Sequence, residues 1–282
     1  MAQTLSEIRA ELAARGIRPK HRFGQNFLHD RNQLRKLLAA ARVGTGDLVL
    51  EVGPGTGTLT EELLDAGCRV VACELDPDMA AIVRARNLHR MGRAPGRLTV
   101  VECDCLDGKH AVSARVLSEL GGERFALVAN LPYQAATPLM ATLLERHPEC
   151  VAQAVTIQRE VADRLMATAG GEHYGPISVT MALLADVELV GVLAPGCFWP
   201  APKVMSAMVA IHPRVDARPA AGWDAFSSFV QRTFGQRRKQ LGSILGREAV
   251  AAAGFDPVRR PETLEPREWV ALQAAIAGDA GG

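Results

Sequence analysis

The 282-residue sequence predicts an α/β fold in which a parallel sheet with crossover helices is followed by a small all-helical C-terminal domain. Three observations lead there. Short β-rich apolar runs alternate with helical patterns as far as Gln158, a Pro/Arg/Ala-rich stretch (HPRVDARPAAG) occupies 212–222, and beyond it apolar residues recur at helical spacing in Phe226, Phe229, Val230 and Phe234. The sheet domain is therefore assigned to 1–213, with a basic N-terminal extension, and the helical domain to 214–282.

The strands are expected at 48–52 (LVLEV), 69–75 (RVVACEL), 97–102 (RLTVVE), 125–130 (FALVAN) and 154–158 (AVTIQ). Helices are expected at 58–66, 77–90 and 136–146, the second opened by Asp76 as a cap and Pro77 in the first turn. After Gln158 the pattern changes: REVADRLMA and YGPISVTMALLA read as helices, and VELVGVLA with VMSAMVAIH as a closing pair of strands. No internal repeat is visible.

A hydrophobic share of 48% is ample for a large core, and a net charge of +1 excludes a globally basic nucleic-acid binder, so any basic surface has to be local. The 6 cysteines include no C-x-x-C pair, and Cys103-Asp104-Cys105 is too tight for a tetrahedral site; free thiols and no metal are expected. The first thirty residues carry Glu7 and Glu11 without an apolar core, which argues against a secretory signal. The run from Val179 to Leu193 is interrupted by Asp186 and Glu188 and is too short to span a bilayer. A soluble, cytoplasmic protein is expected, with no membrane partner and a monomeric state as the default.

EVGPGTGTLTEEL follows the first strand and enters a helix. Gly53, Gly55 and Gly57 are spaced G-x-G-x-G, with Thr58 where a dinucleotide fingerprint would place its last glycine, and no G-K-[ST] follows. Such a loop lets a ligand approach the backbone. Glu74 at the second strand tip can accept hydrogen bonds from both hydroxyls of a ribose, and Asp104 at the third suits an adenine amino group. Glycine loop and acids, in this order at successive strand tips, point to S-adenosyl-L-methionine as cofactor and to a Rossmann-like sheet of the class I S-adenosylmethionine-dependent methyltransferase kind.

Asn130-Leu131-Pro132-Tyr133 closes the fourth strand and is similar to the [DN]-P-P-Y-like tetrapeptides of amino-directed methyltransferases. The residue types suit the chemistry. The adenine N6 lone pair is delocalised into the ring, and acceptors on its two N–H groups, the Asn130 side-chain oxygen and a carbonyl near Leu131, help it rehybridise. Pro132 stiffens the turn. Tyr133 offers a flat face for an extruded base. No general base is needed, because the proton leaves after the nitrogen becomes cationic.

RFGQNFLHD (22–30), TIQREVADRL (156–165), YGPISV (174–179), FWPAPKVMSAMV (198–209) and FGQRRKQLGSIL (234–245) complete a pattern that resembles the small-subunit ribosomal RNA adenine N6-dimethyltransferase family (the KsgA type) along nearly the whole chain. The resemblance implies methyl-donor contacts from Asn26, Leu28, Gly53, Gly55, Glu74, Asp104 and Asn130, stacking of the target adenine on Tyr133, and Phe198 as a second face for it. It implies dimethylation of two adjacent adenosines in a hairpin loop near the 3′ end of small-subunit rRNA. This sequence departs from the family by Gln134-Ala135-Ala136 where Asn-Ile-Ser or Asn-Ile-Thr is usual, and by His29 in place of Asn.

Two basic clusters stand out: Arg15, Arg18, Lys20, His21 and Arg22 near the N-terminus, and Arg232, Arg237, Arg238 and Lys239 in the C-terminal helices. Beside a base-modifying site they read as phosphate contacts, with Arg22, Arg237, Arg238 and Lys239 as the expected RNA-binding residues. The alternatives are an Erm-type enzyme acting on large-subunit rRNA, against which FWPAPKV and FGQRRK weigh, and a non-catalytic assembly or transcription factor. A protein glutamine methyltransferase would carry Pro at Leu131.

Overall fold

The strand pattern folds as a seven-stranded sheet with the order β4-β3-β2-β5-β6-β9-β7. A computed structural model describes residues 3–92, 95–108, 111–214 and 222–279; most of the stretch read as a linker, 215–221, lies outside them. The strands are β2 (Leu48–Val52), β3 (Arg69–Glu74), β4 (Leu98–Glu102), β5 (Phe125–Asn130), β6 (Cys150–Gln158), β7 (Ala185–Leu193) and β9 (Ser206–Pro213). β2 pairs in parallel with β3 and β5, β3 with β4, and β5 with β6, while β9 runs antiparallel to β6. Every residue of β2 is buried, as expected for a central strand covered on both faces.

This order decides where a ligand can sit. The chain works outward from β2 to β3 and β4, then returns to place β5 on the other side of β2. Crossovers diverge at that reversal, and the crevice between them opens beyond the carboxyl ends of β2 and β5. Gly53 and Asn130 stand at those two ends.

The connecting helices are α3 (Thr58–Asp65), α4 (Pro77–Arg86), α5 (Ala114–Leu120), α6 (Tyr133–Arg146) and α7 (Arg159–Met166), preceded by α1 (Leu5–Ala14) and α2 (Arg31–Ala41). Asp76 caps α4 through the Asp78 N–H, with Pro77 in the first turn, as the sequence predicts. The sequence reading leaves α1, α2 and α5 unassigned, although the first two carry start signals. Thr4 and Glu7 form a capping box, and Asp30 accepts from the Asn32 and Gln33 N–H groups. A two-stranded sheet pairs β1 (Phe27–Leu28) antiparallel with β8 (Phe198–Trp199).

The chain divides into two compact units, Met1–Ala162 with Glu188–Pro213, and Asp163–Val187 with Arg214–Gly282. The division differs from the single boundary after residue 213, because Asp163–Val187 groups with the tail. The reason is packing. Tyr174 and Val179 are buried in one cluster with Phe226, Phe229, Phe234, Leu264 and Trp269, and the Tyr174 hydroxyl donates to the Leu264 carbonyl at 2.7 Å. The second unit holds α8 (Pro176–Leu184), α9 (Trp223–Phe234), α10 (Leu241–Leu245), α11 (Arg247–Ala252) and α12 (Pro266–Asp279). Trp269, fully buried, stacks on Phe234 at 5.0 Å and meets Phe229 edge-on at 6.2 Å.

Candidate active site

The glycine loop is shaped by protein packing as well as by ligand access. Gly53 and Gly55 adopt φ of 71° and 58°, a region that disfavours side chains. A Cβ on Gly53 would press on the Pro132 ring at 3.2 Å, and one on Gly55 would strike the Phe27 ring at 2.8 Å. The expectation that the glycines make room for a ligand is thus corrected in part. At Gly55 the space belongs to Phe27, and the Gly55 N–H donates at 3.1 Å to Glu74 Oε2.

That bond and a second from the Asp76 N–H to Oε1, 2.8 Å, fix the Glu74 carboxyl at the tip of β3. Burial pushes its pKa up to about 7, opposed by these two backbone donors. Two residues before Gly53, Glu51 is 1% exposed; burial raises it to about 8, while the Thr60 hydroxyl donates to it at 2.6 Å. Asp104 is exposed beyond β4 and accepts from the Leu106 N–H at 3.0 Å.

A strap over residues 20–26 closes the opposite side, tied to the start of α4. The buried Asp76 carboxylate accepts from Lys20 Nζ at 2.7 Å and from Gln25 Nε2 at 2.7 Å, and Lys20 also pairs with Asp78 at 2.7 Å. The strap delivers the Asn26 carbonyl, which accepts from the Asn130 side-chain amide at 2.8 Å. With its nitrogen so engaged, Asn130 presents its oxygen as the acceptor. Pro132 precedes α6 with φ −56° and ψ 128°, which makes Tyr133 the first helical residue and extends the helix three residues beyond the predicted start. The Tyr133 hydroxyl bonds to Ser206, itself fully buried, at 3.2 Å.

These residues line two cavities that share Gly53, Glu74, Pro132 and Tyr133. The smaller, about 60 Å³, is bounded by Asn26, Leu28, Glu51, Gly55, Asn130 and Leu131. The larger, about 570 Å³, is bounded by Arg22, Asp104, Gln134, Pro138 and Gln158. Every residue predicted for the cofactor therefore reaches one cavity or the other. Phe198 does not: it is 3% exposed and packs in the core with Leu28 and Leu34. Side chains alternate along β8, so Phe198 points inward and the next residue, Trp199, outward. Of the departures from the family pattern, Gln134 and Ala135 face the larger cavity, whereas Ala136 is 1% exposed and faces neither.

The basic clusters are also redrawn. Arg15 is neutralised by Glu11 at 2.7 Å and Lys20 by two aspartates, while Arg22 stays exposed, its guanidinium 4.7 Å from the Phe23 ring centre. Arg237, Arg238 and Lys239 lie in the turn between α9 and α10, outside the helices where the sequence places them. The sequence reading missed Ser206, and it took Asp76 for a cap alone. A polar residue opening an apolar strand, as Ser206 does in SAMVAIH, was the available signal.

Fold and site together define a methyltransferase of the class I kind. Residues 16–261 match the family described as ribosomal RNA adenine dimethylase, and the chain belongs to that family. It is 40% identical to the ribosomal RNA small subunit methyltransferase A of Bifidobacterium longum subsp. infantis, over 96% of this chain and 92% of the relative. Identity to the protein of that name from Streptomyces griseus is 39%, over 95% and 92%. Among solved structures, a dimethyladenosine transferase from Plasmodium falciparum shares the fold with a TM-score of 0.72 at 23% identity, over 90% of this chain and 98% of that one. The 23S rRNA methyltransferase ErmE does so at 0.64 and 24%, over 89% and 100%.

Proposed function

We propose that this protein uses S-adenosyl-L-methionine to dimethylate N6 of two adjacent adenosines in a hairpin loop near the 3′ end of small-subunit rRNA, in the cytoplasm, as a step of small-subunit biogenesis. The observation that carries the reading is the Asn130 carboxamide, which lines the smaller cavity and is held by the Asn26 carbonyl so that its oxygen is left as an acceptor.

The residues around the crevice fit the cofactor. Glu74, held by two backbone N–H groups, suits the ribose hydroxyls, and Asp104 suits the adenine amino group across a 570 Å³ space. Asn26, Leu28 and Gly55 line the smaller cavity beside it, and Gly53 lines both. When bound, S-adenosyl-L-methionine supplies an electrophilic methyl group on sulfur. The chain's own part is orientation. Asn130 Oδ1 and the Leu131 carbonyl accept the two N6 hydrogens and draw its lone pair out of conjugation, and the Tyr133 ring supports the base. Ser206 restrains that ring through its hydroxyl. After transfer the cationic nitrogen gives its proton to water, so Glu51 and Glu74 need not act as bases. Ala136 is 1% exposed and lines neither cavity, so the hydroxyl usual there is not missing from a cavity wall.

Two considerations favour the small subunit: the relatives of that name at about 40% identity and the FWPAPKV and FGQRRK segments. The test is transfer of labelled methyl to undermethylated small ribosomal subunits, with nucleosides identified by mass spectrometry and large-subunit rRNA run in parallel. Dimethyladenosine in the small subunit alone is expected. Product in large-subunit rRNA alone would transfer the assignment to Erm-type chemistry, and binding without product would make the protein an assembly factor. Asn130→Ala is expected to lower kcat by about 10²–10³-fold, as loss of one aligned polar group at a reacting centre does.

A further inference from the structure

A column of three side chains leads from the glycine loop to the surface. The Phe27 ring takes the space beside Gly55, faces Trp199 at 6.3 Å with 28° between the planes, and Arg9 lays its guanidinium over Trp199, 5.3 Å from the ring centre. The pairing of β1 with β8 sets this up by putting Phe27 opposite Trp199. The column ends in a groove of about 690 Å³ walled by Arg9, Gly16, Ile17, Arg18, Trp199 and Pro200.

The charge in this groove is unbalanced. Arg15, Arg69, Arg84, Arg86 and Arg90 each have a carboxylate within 4 Å. Arg9 and Arg18 are exposed, and neither has such a partner among the described residues. A guanidinium seated over an indole leaves N–H donors free and has already lost some of its rotational freedom, which suits recognition of a phosphate. Ile17 and Pro200 give the groove an apolar floor against which a ribose can pack. The chain that forms this floor runs on from Arg18 directly into the strap that carries Arg22 and Asn26 to the cavities.

We propose that this groove holds the phosphate backbone of the RNA strand that carries the target base, with Arg9 and Arg18 as the two phosphate contacts and Trp199 as the support that orients Arg9. The inference rests on the reading of the protein as an RNA methyltransferase.

The experiment compares the wild type with Arg9→Ala/Arg18→Ala, Trp199→Ala and a control, Lys36→Ala, which removes an exposed cation from α2. Binding of a small-subunit rRNA hairpin fragment is measured against salt concentration, and methyl transfer to undermethylated small subunits is measured in parallel. The double variant is expected to weaken RNA binding about tenfold and to flatten the plot of log Kd against log salt by about 1.5, as loss of two phosphate contacts does. Its cofactor affinity and kcat should stay within about twofold of wild type, while its KM for the subunit rises in proportion to the lost binding. Trp199→Ala should give a smaller loss, and none on top of Arg9→Ala/Arg18→Ala. Equal loss from Lys36→Ala would overturn the groove as a specific site, as would an unchanged Kd in the double variant. If the wild type binds RNA but makes no dimethyladenosine, the functional reading fails while the groove is still decided by the binding data. If it binds no RNA, both fail.

Discussion

At the scale of single residues, two buried carboxyls govern how the protein responds to pH. Glu51 has an ordinary value of 4.5 and is raised to about 8 by burial, so the folded state holds a proton that the unfolded chain has lost. Its contribution to stability is full below pH 4.5 and is lost as pH rises through 8. Melting temperature should therefore fall across that window, and Glu51→Gln, which keeps an acceptor for Thr60, should flatten the fall. Glu74, raised to about 7, has a different role. If it accepts from ribose hydroxyls in its ionised form, as proposed above, cofactor affinity measured by calorimetry should increase as pH rises through 7, with proton release, and Glu74→Gln should abolish the dependence. Both acids stood in plain view in the sequence, Glu74 at a strand tip and Glu51 inside LVLEV. What the sequence could not give was the environment of Glu51: a carboxyl in an apolar strand reads as an interruption until Thr60, nine residues on, is seen to face it.

At the scale of elements, the strap is as consequential as the strands. Asp76 begins α4, holds Lys20 and Gln25, and sends its own N–H to Glu74. One substitution, Asp76→Ala, removes a cap and two side-chain anchors, Lys20 and Gln25, together. It should cost about 2 kcal/mol in denaturant unfolding, above the usual value for a cap alone, and raise cofactor KM more than it changes kcat. Lys20→Met, which cuts the two ion pairs and the contact of the ammonium with the Phe23 ring but spares the Gln25 anchor, should show a milder rise in KM, and added salt should bring the wild type toward it because Lys20 is partly exposed. The parallel strands were legible from their apolar runs, and β5 matched its predicted limits because Phe125 follows a polar turn and Pro132 comes two residues after Asn130. The strap and the β1–β8 pair were not. Each is held by contacts between residues far apart in sequence, which no local period records.

At the scale of the whole molecule, the second unit has an aromatic core centred on Trp269. Trp269→Ala empties a fully buried site in contact with Phe229 and Phe234 and should destabilise this unit by about 3–5 kcal/mol in chemical denaturation. The helical character of the tail was readable from Phe226, Phe229, Val230 and Phe234, all of which are buried. Its true extent was not, because Tyr174 and Val179 lie on the near side of the last strand. An apolar helix there reads equally well as cover for the sheet, and only its partners decide.

That interleaving has a consequence for the order in which the protein is made. Tyr174 leaves the ribosome 90 residues ahead of Leu264, whose carbonyl it binds. At a synthesis rate of about 5–20 residues per second, the segment waits roughly 5 to 18 seconds for its partners. In that interval β9 emerges and can complete the sheet of the first unit. The catalytic sheet can thus be assembled before the second unit closes, and the nascent chain passes through a stage in which Tyr174 and Val179 are the apolar residues a chaperone would meet.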